Sequence, residues 1–99
     1  MKDFNLLDFL PQGQDNHITS RDLENITHLK GTEIRREVNR LRTEAAPIAS
    51  DKNGYYIATT QEELTATIRN LQSRRNAMNR AIEGLMEAKY RLIFGGDEK

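Results

Sequence analysis

Arg35, Arg36, Asn39 and Arg40 lie within a six-residue window, and their side chains have the chemistry to read nucleic acid bases. Arginine can donate two parallel hydrogen bonds to guanine, and asparagine can bond adenine bidentately. Thr32 comes just before them, where a hydroxyl near a helix N-terminus can hold a phosphate. Glu33 could accept from cytosine, but as an acid in a first helical turn it is better read as favouring the helix dipole. Residues 30–42 carry five bases (Lys30, Arg35, Arg36, Arg40, Arg42) against two acids (Glu33, Glu37). Residues 69–80 hold Arg69, Arg74, Arg75 and Arg80 with no acid. Charged residues are 30% of the chain and the formal net charge is zero, so the whole surface is not basic. Local patches of this kind can bind phosphate where the net charge cannot. A charged helix face is usually just a solvated one; the residue types at 32–40 favour the more specific reading.

Catalytic chemistry is not indicated. His17 and His28 fall in predicted loops, and neither stands at zinc-ligand spacing from a second His. There is no cysteine, hence no disulfide framework and no thiolate metal site. No glycine-rich phosphate loop is present, and the carboxylates are scattered among bases three or four residues away. The expectation is a protein that is not an enzyme, with no metal, cofactor or small-molecule ligand. No apolar run approaches the roughly 18 residues of a membrane span, and no signal peptide is visible. A cytoplasmic location without a membrane partner is therefore expected.

The elements that must hold the arginine face follow from apolar spacing. Residues 2–10 predict a short first helix stopped by Pro11, with Phe4, Leu7 and Leu10, or Leu6, Phe9 and Leu10, turned inward. A polar loop leads to Ile18, in one or two residues of extended chain. Leu23 and Ile26 recur at helical spacing behind Thr19, with Asp22 at capping-box distance. Leu29 plugs the joint. Ile34, Val38 and Leu41 then form the buried side of a second helix, opposite Thr32, Arg36, Asn39 and Arg40. Helix, short turn, helix is the sequence shape of a helix-turn-helix, whose second helix can enter a DNA major groove. Asn53-Gly54 predicts a type I′ turn, with positive φ at both residues, in a hairpin across residues 47–58. Ile48 and Ile57 should point inward, and alternation should bury one of Tyr55 and Tyr56. Asp51, Lys52 and Asn53 form its tip. The expected fold is mainly α: a winged helix-turn-helix of three helices and a two-stranded β wing over residues 1–59.

Thr60-Gln61-Glu62-Glu63 is a capping box. It opens a long helix over residues 60–94, about 50 Å at about 1.5 Å per residue. Gly95-Gly96 should stop it, and residues 95–99 should be a disordered tail. Apolar spacing alternates four and three: Leu64, Ile68, Leu71, Met78, Ile82, Leu85 and Leu92, with Arg75 and Lys89 in the same row. That is a heptad, with branched residues at a and mostly Leu at d, a pattern that favours two strands. Ala81, Met86, Ala88 and Ile93 widen the second half toward a small helical bundle. A helix of this length exceeds what a core of about 60 residues covers. It is therefore expected to self-associate as a homodimer or small bundle through Leu71, Met78, Ile82, Leu85, Met86 and Leu92.

The run from Ile18 to Ala58, ITSRDLENITHLKGTEIRREVNRLRTEAAPIASDKNGYYIA, resembles the winged helix at the N-terminus of biotin repressors. It shares an Ile-Thr start, the apolar Leu23, Ile34, Val38 and Leu41, a Leu-Arg step, a Pro-Ile lead into the wing and a Gly-Tyr exit. More closely, residues 6–93 look like small winged-helix DNA-binding proteins encoded by phages and prophages of Gram-positive bacteria. Those have a similar opening, the GYYIA exit and an Arg-rich last helix. Two positions depart from the pattern. Lys30 stands where a Ser or Thr cap is usual, and Ala45-Ala46 where a Gly commonly ends the second helix. The resemblance implies a phage or prophage transcriptional regulator, or a replication accessory. It would bind double-stranded DNA as a dimer through a recognition helix at 32–42 and a wing at 51–54. The candidate contacts are Thr19, Ser20 and Arg21 at the start of the first segment, then Thr32, Arg35, Arg36, Asn39 and Arg40, then Lys52 and Asn53. The alternative is a protein–protein assembly module built on the same fold without sequence-specific DNA binding.

Overall fold

The computed structural model describes residues 4–95. The chain divides into two compact units, residues 1–67 and residues 68–99, each taken by itself below.

In the first unit, the expected first helix is a single 3-10 turn, Leu6–Phe9, capped by Asn5, whose Oδ1 accepts from the Leu7 N–H at 3.0 Å. Positions 2 and 3 lie outside the described residues. The helix cannot lengthen because Leu10 precedes Pro11 and is extended (φ −97, ψ 126), the conformation a following proline imposes. Leu6 and Leu10 are buried, while Phe9 is exposed and stacks on Phe4 with ring centroids 5.7 Å apart. Neither expected apolar set holds as a whole: the turn buries Leu6 and Leu10 and half-buries Leu7.

Helix α1 (Ser20–Thr27) starts at Thr19, whose Oγ1 accepts from the Asp22 N–H at 3.0 Å. Leu23 is fully buried, but Ile26 is 50% exposed, so the inward face of this short helix is narrower than expected. His28 ends α1 in the left-handed conformation (φ 65), which histidine tolerates better than most residues. Leu29 packs on the core, as its place in the joint suggested. Helix α2 (Gly31–Thr43) follows, with Ile34, Val38 and Leu41 buried. Lys30 supplies no side-chain cap, but Glu33 Oε1 accepts from the Lys30 N–H at 2.8 Å. At the far end, the Ala46 N–H bonds to the Leu41 carbonyl and the Ala45 N–H to the Arg42 carbonyl, with Ala45 at φ 71. This is a Schellman closure with alanine at the position glycine favours.

Strands β1 (Ile48–Asp51) and β2 (Gly54–Ile57) pair antiparallel, with Ile48 opposite Ile57 and Asp51 opposite Gly54. The expected type I′ turn is not formed. His28 and Ala45 are the non-glycine residues with positive φ among those described, so Asn53 is not one. Instead Asp51 Oδ1 accepts from the Asn53 N–H at 2.8 Å, and Lys52 and Asn53 span the turn. An aspartate-closed turn gives the backbone a partner that an Asn-Gly pair would otherwise provide. Gly54 is needed for another reason. A Cβ there would lie 2.2 Å from the Ile18 carbonyl oxygen, and its φ is 142. That close approach exists because the far edge of β2 is also paired: Ile18 and Tyr55 exchange N–H···O bonds of 2.8 Å. Ile57 donates to the Pro11 carbonyl at 2.7 Å and accepts from the Gly13 N–H at 2.9 Å. β2 is thus flanked by β1 on one side and by the chain ahead of α1 on the other.

One cluster of Leu6, Leu10, Leu23, Ile34, Val38, Leu41 and Ile48 forms the core, and Ile18, Tyr55 and Ile57 pack against it. The opposite face of the hairpin buries Ala49 and Tyr56, which face each other across the strands. Tyr56 is the tyrosine that alternation hides, at 2% exposure. Helix α3 (Gln61–Tyr90) begins in this unit. Thr60 Oγ1 accepts from the Glu63 N–H at 3.1 Å, and the Glu63 carboxylate reaches back to the Thr59 N–H at 2.7 Å. Thr67 is buried and clasps β1: its Oγ1 accepts from the Ser50 N–H at 3.1 Å and donates to the Ser50 carbonyl at 3.3 Å.

The second unit is the remainder of α3 followed by a π-type turn, Arg91–Gly95. The expected α-helix to Phe94 therefore changes form after Tyr90, whose ring lies 4.8 Å from that of Phe94, centroid to centroid. The Gly96 stop and the tail beyond it lie outside the described residues. Among the described residues, no helix is long and apolar enough to cross a membrane.

Candidate nucleic-acid interface

With Ile34, Val38 and Leu41 buried, the geometry of α2 exposes Thr32, Arg35, Arg36, Asn39 and Arg40 together. They are not equivalent. Arg40 is held by two acids: Glu37 at 2.6 Å (with a second bond of 3.1 Å from Nε) and Glu44 at 2.8 Å. The bond to Glu37 pushes the guanidinium pKa up. Arg35 and Arg36 make no ion pair among the described residues. Arg42, which adds to the charge of the run 30–42, is half-buried and structural. Its Nε donates to the Ile48 carbonyl at 2.9 Å and its Nη2 to Ser50 Oγ at 3.2 Å, tying α2 to β1. The available positive charge on α2 is therefore Lys30, Arg35 and Arg36 rather than all five bases.

The other candidate positions have mixed standing. Thr19 is exposed, but its hydroxyl is already accepting from the Asp22 N–H. Arg21 is exposed and Ser20 half-buried in the first turn of α1. Lys52 and Asn53 are exposed at the hairpin tip, where the Asn53 N–H is spent on Asp51. Asp51 lies directly beneath. Partial burial opposes its charge, but the Asn53 N–H, the Gln14 amide at 3.2 Å and the Gly54 N–H outweigh that and hold the carboxyl below its ordinary range. The tip is thus a lysine over a carboxylate that is ionised at neutral pH.

Beside Arg36 is an open groove of about 390 Å³, lined by Phe4, Leu29, Glu33, Arg36 and Glu37. Sequence reasoning did not foresee it, because it depends on where the N-terminal 3-10 turn leaves Phe4. Sequence reasoning also missed Glu63. Its second carboxylate oxygen accepts from the Gln14 N–H at 3.1 Å, so one side chain ties the loop ahead of α1 to the start of α3. The only signal was the capping box, which assigns Glu63 a local partner.

In the second unit, the residues expected to mediate self-association are all exposed: Leu71 37%, Met78 60%, Ile82 53%, Leu85 70%, Met86 64% and Leu92 85%. Ile68, at 50%, continues the same row toward the N-terminus. Leu92 falls in the π-type turn, beyond the last residue for which the α-helical rhythm holds.

No protein-family profile, no curated protein and no solved structure matches this chain.

Proposed function

We propose that the first unit is a winged helix-turn-helix of the phage and prophage type, that it binds duplex DNA, and that the second unit makes the protein a dimer. In this reading α2 is the recognition helix, the Lys52–Asn53 turn is the tip of the wing, and the isolated bridge of Ile18 to Tyr55 on β2, reached after the 3-10 turn Gln14–Asn16, stands in for the short strand that precedes the helix pair. One observation carries the reading. The outer face of α2 presents Thr32, Arg35, Arg36 and Asn39 to solvent, and neither arginine is committed to an acid. Arg and Asn are the residue types that pair bidentately with guanine and adenine. A salt titration of binding to random duplex DNA tests the first claim. Affinity should fall steeply with salt as phosphate contacts release counterions, and a flat response at low ionic strength would sink it.

The groove beside Arg36 favours a second reading. Its Phe4 and Leu29 walls suit an apolar side chain, and the Glu33, Arg36 and Glu37 groups beside them offer polar partners of both signs, which a protein can meet and a uniformly anionic DNA backbone cannot. The acids clamped on Arg40 weaken the field of the α2 face in the same direction. If Arg36→Ala and Arg40→Ala both bind DNA as the parent does at low salt, the recognition-helix reading fails and the first unit is better regarded as a protein-binding module.

A further inference from the structure

The exposed face of the second unit matches a second copy better in one orientation than in the other. Ile68, Leu71, Met78, Ile82 and Leu85 form an apolar row interrupted by Arg75 and continued by Lys89, all of them exposed. Placed parallel and in register with a second copy, Arg75 would meet Arg75 and Lys89 would meet Lys89. The acid-free run 69–80, with its four arginines, would also lie along its own duplicate. Each like-charge layer is unfavourable, and reversing one helix removes them all. With Met78 set opposite Ile82 of the second copy, Arg75 falls opposite Leu85 and Lys89 opposite Leu71. Each long basic side chain can then lay its methylene stem across an apolar neighbour and leave its charge in water. At the margin, Arg74 lies beside Ala88, a residue small enough to let it pass. The acid-free, arginine-rich run then lies mainly along residues 81–91, where Glu83 and Glu87 balance Lys89 and Arg91 and Glu87 is already paired with Arg91 at 2.8 Å, so the relief comes from separating the arginines rather than from new ion pairs.

We propose that the second unit associates with a second copy of this chain as an antiparallel pair, centred between Met78 and Ile82. This rests on the dimeric part of the reading above and gives it an orientation. The pairing is isologous and closed, so it stops at two chains. The match of each basic position to an apolar one in the reversed copy is a property of this chain toward itself, which makes a second copy the occupant.

The test uses the full chain, whose lack of cysteine lets single thiols be placed at will. Sedimentation equilibrium of the parent comes first and should show a dimer at tens of micromolar; a monomer would overturn the orientation and self-association together and leave the face for another protein. Leu71→Cys and Lys89→Cys chains are then oxidised separately and as a mixture. Linked dimer should form in the mixture and be near background in either variant alone. Linked dimer from Leu71→Cys alone would establish a parallel pair, overturning the orientation while leaving the dimer intact. Arg74→Cys with Ala88→Cys repeats the comparison at the margin, where the substitutions leave the apolar row untouched. Spin labels at position 71 give an independent reading: the two should be separated by about 27 Å along the axis in the antiparallel pair, at about 1.5 Å per residue, and lie side by side in a parallel one.

Discussion

Arg36 and Arg40 are four residues apart on one helix and would be exchangeable on charge alone. Their surroundings separate them. Arg40 already satisfies two carboxylates, so a base or phosphate must compete with bonds that exist in the free protein. Arg36 has no such pair to break. Arg36→Ala should cost about 1–3 kcal/mol on a preferred site and relax preference at one base position, and Arg40→Ala should cost less. Fluorescence anisotropy with both variants on one duplex decides the order; a larger loss for Arg40 would mean that its acids release it on binding. Lys52→Ala should weaken binding about equally on all sequences and lower the salt slope by about one unit. Backbone constraints at single residues are as discriminating. Ala45 closes α2 at φ 71, a conformation that costs a residue with a Cβ about 1–2 kcal/mol. Ala45→Gly should therefore stabilise by about 1 kcal/mol after its own entropy cost, read as a rise in Tm. Gly54→Ala should do the reverse and far more strongly, because its Cβ would lie 2.2 Å from the Ile18 carbonyl oxygen and break the pairing along β2.

The connections between elements run through a few polar groups. Thr67 on α3 satisfies both backbone groups of Ser50 on β1. Replacing it with valine keeps the shape but leaves the half-buried Ser50 N–H without its protein acceptor, which costs about 1 kcal/mol, measurable as a lower urea midpoint. Glu63 joins the loop ahead of α1 to the first turn of α3. The Thr59 N–H, then the Gln14 N–H, hold its carboxyl below the ordinary value of 4.5. A depressed folded pKa means that the folded protein binds the proton less readily than the unfolded chain. The contribution is thus complete above about the unfolded value and is lost as pH falls through the folded one. Stability of the parent should decline as pH drops below the ordinary glutamate range, and the decline should be shallower in Glu63→Gln. Paired urea titrations between neutral and acid pH check this; equal acid limbs would mean that the Glu63 bonds do not persist in solution.

At the scale of the whole molecule, the two units answer to different substitutions. Ile82→Glu places a charge in the middle of the exposed apolar row and removes no contact from the core of the first unit. Sedimentation should report weaker self-association, while backbone chemical shifts across residues 47–58 stay those of the hairpin. Shifts that move together with the oligomeric state would show that the first unit folds only in the assembly. DNA affinity of the same variant should fall, because two linked modules gain an effective concentration that two separate ones lack.

The chain's own pattern determined where its elements lie. The three-four spacing of Ile34, Val38 and Leu41, the Thr19 and Thr60 caps, and the run around Asn53-Gly54 place α2, α1, α3 and the hairpin, since local periodicity and capping act within a few residues. The same pattern was enough to foresee which α2 side chains reach solvent. It was not enough where the deciding partner is distant in sequence. Whether Leu6 or Phe9 turns inward depends on Pro11 and on the core they meet. Glycine at position 54 answers to Ile18, thirty-six residues earlier, rather than to the turn it adjoins. Arg42 reads as one more base of a basic helix until Ile48 and Ser50 come within hydrogen-bonding distance. Glu63 reads as a cap until Gln14 arrives at its second oxygen. Composition and spacing count charges, but only the tertiary structure decides which of them are already spent, because a guanidinium or carboxylate that is satisfied within the fold has least left to offer a partner.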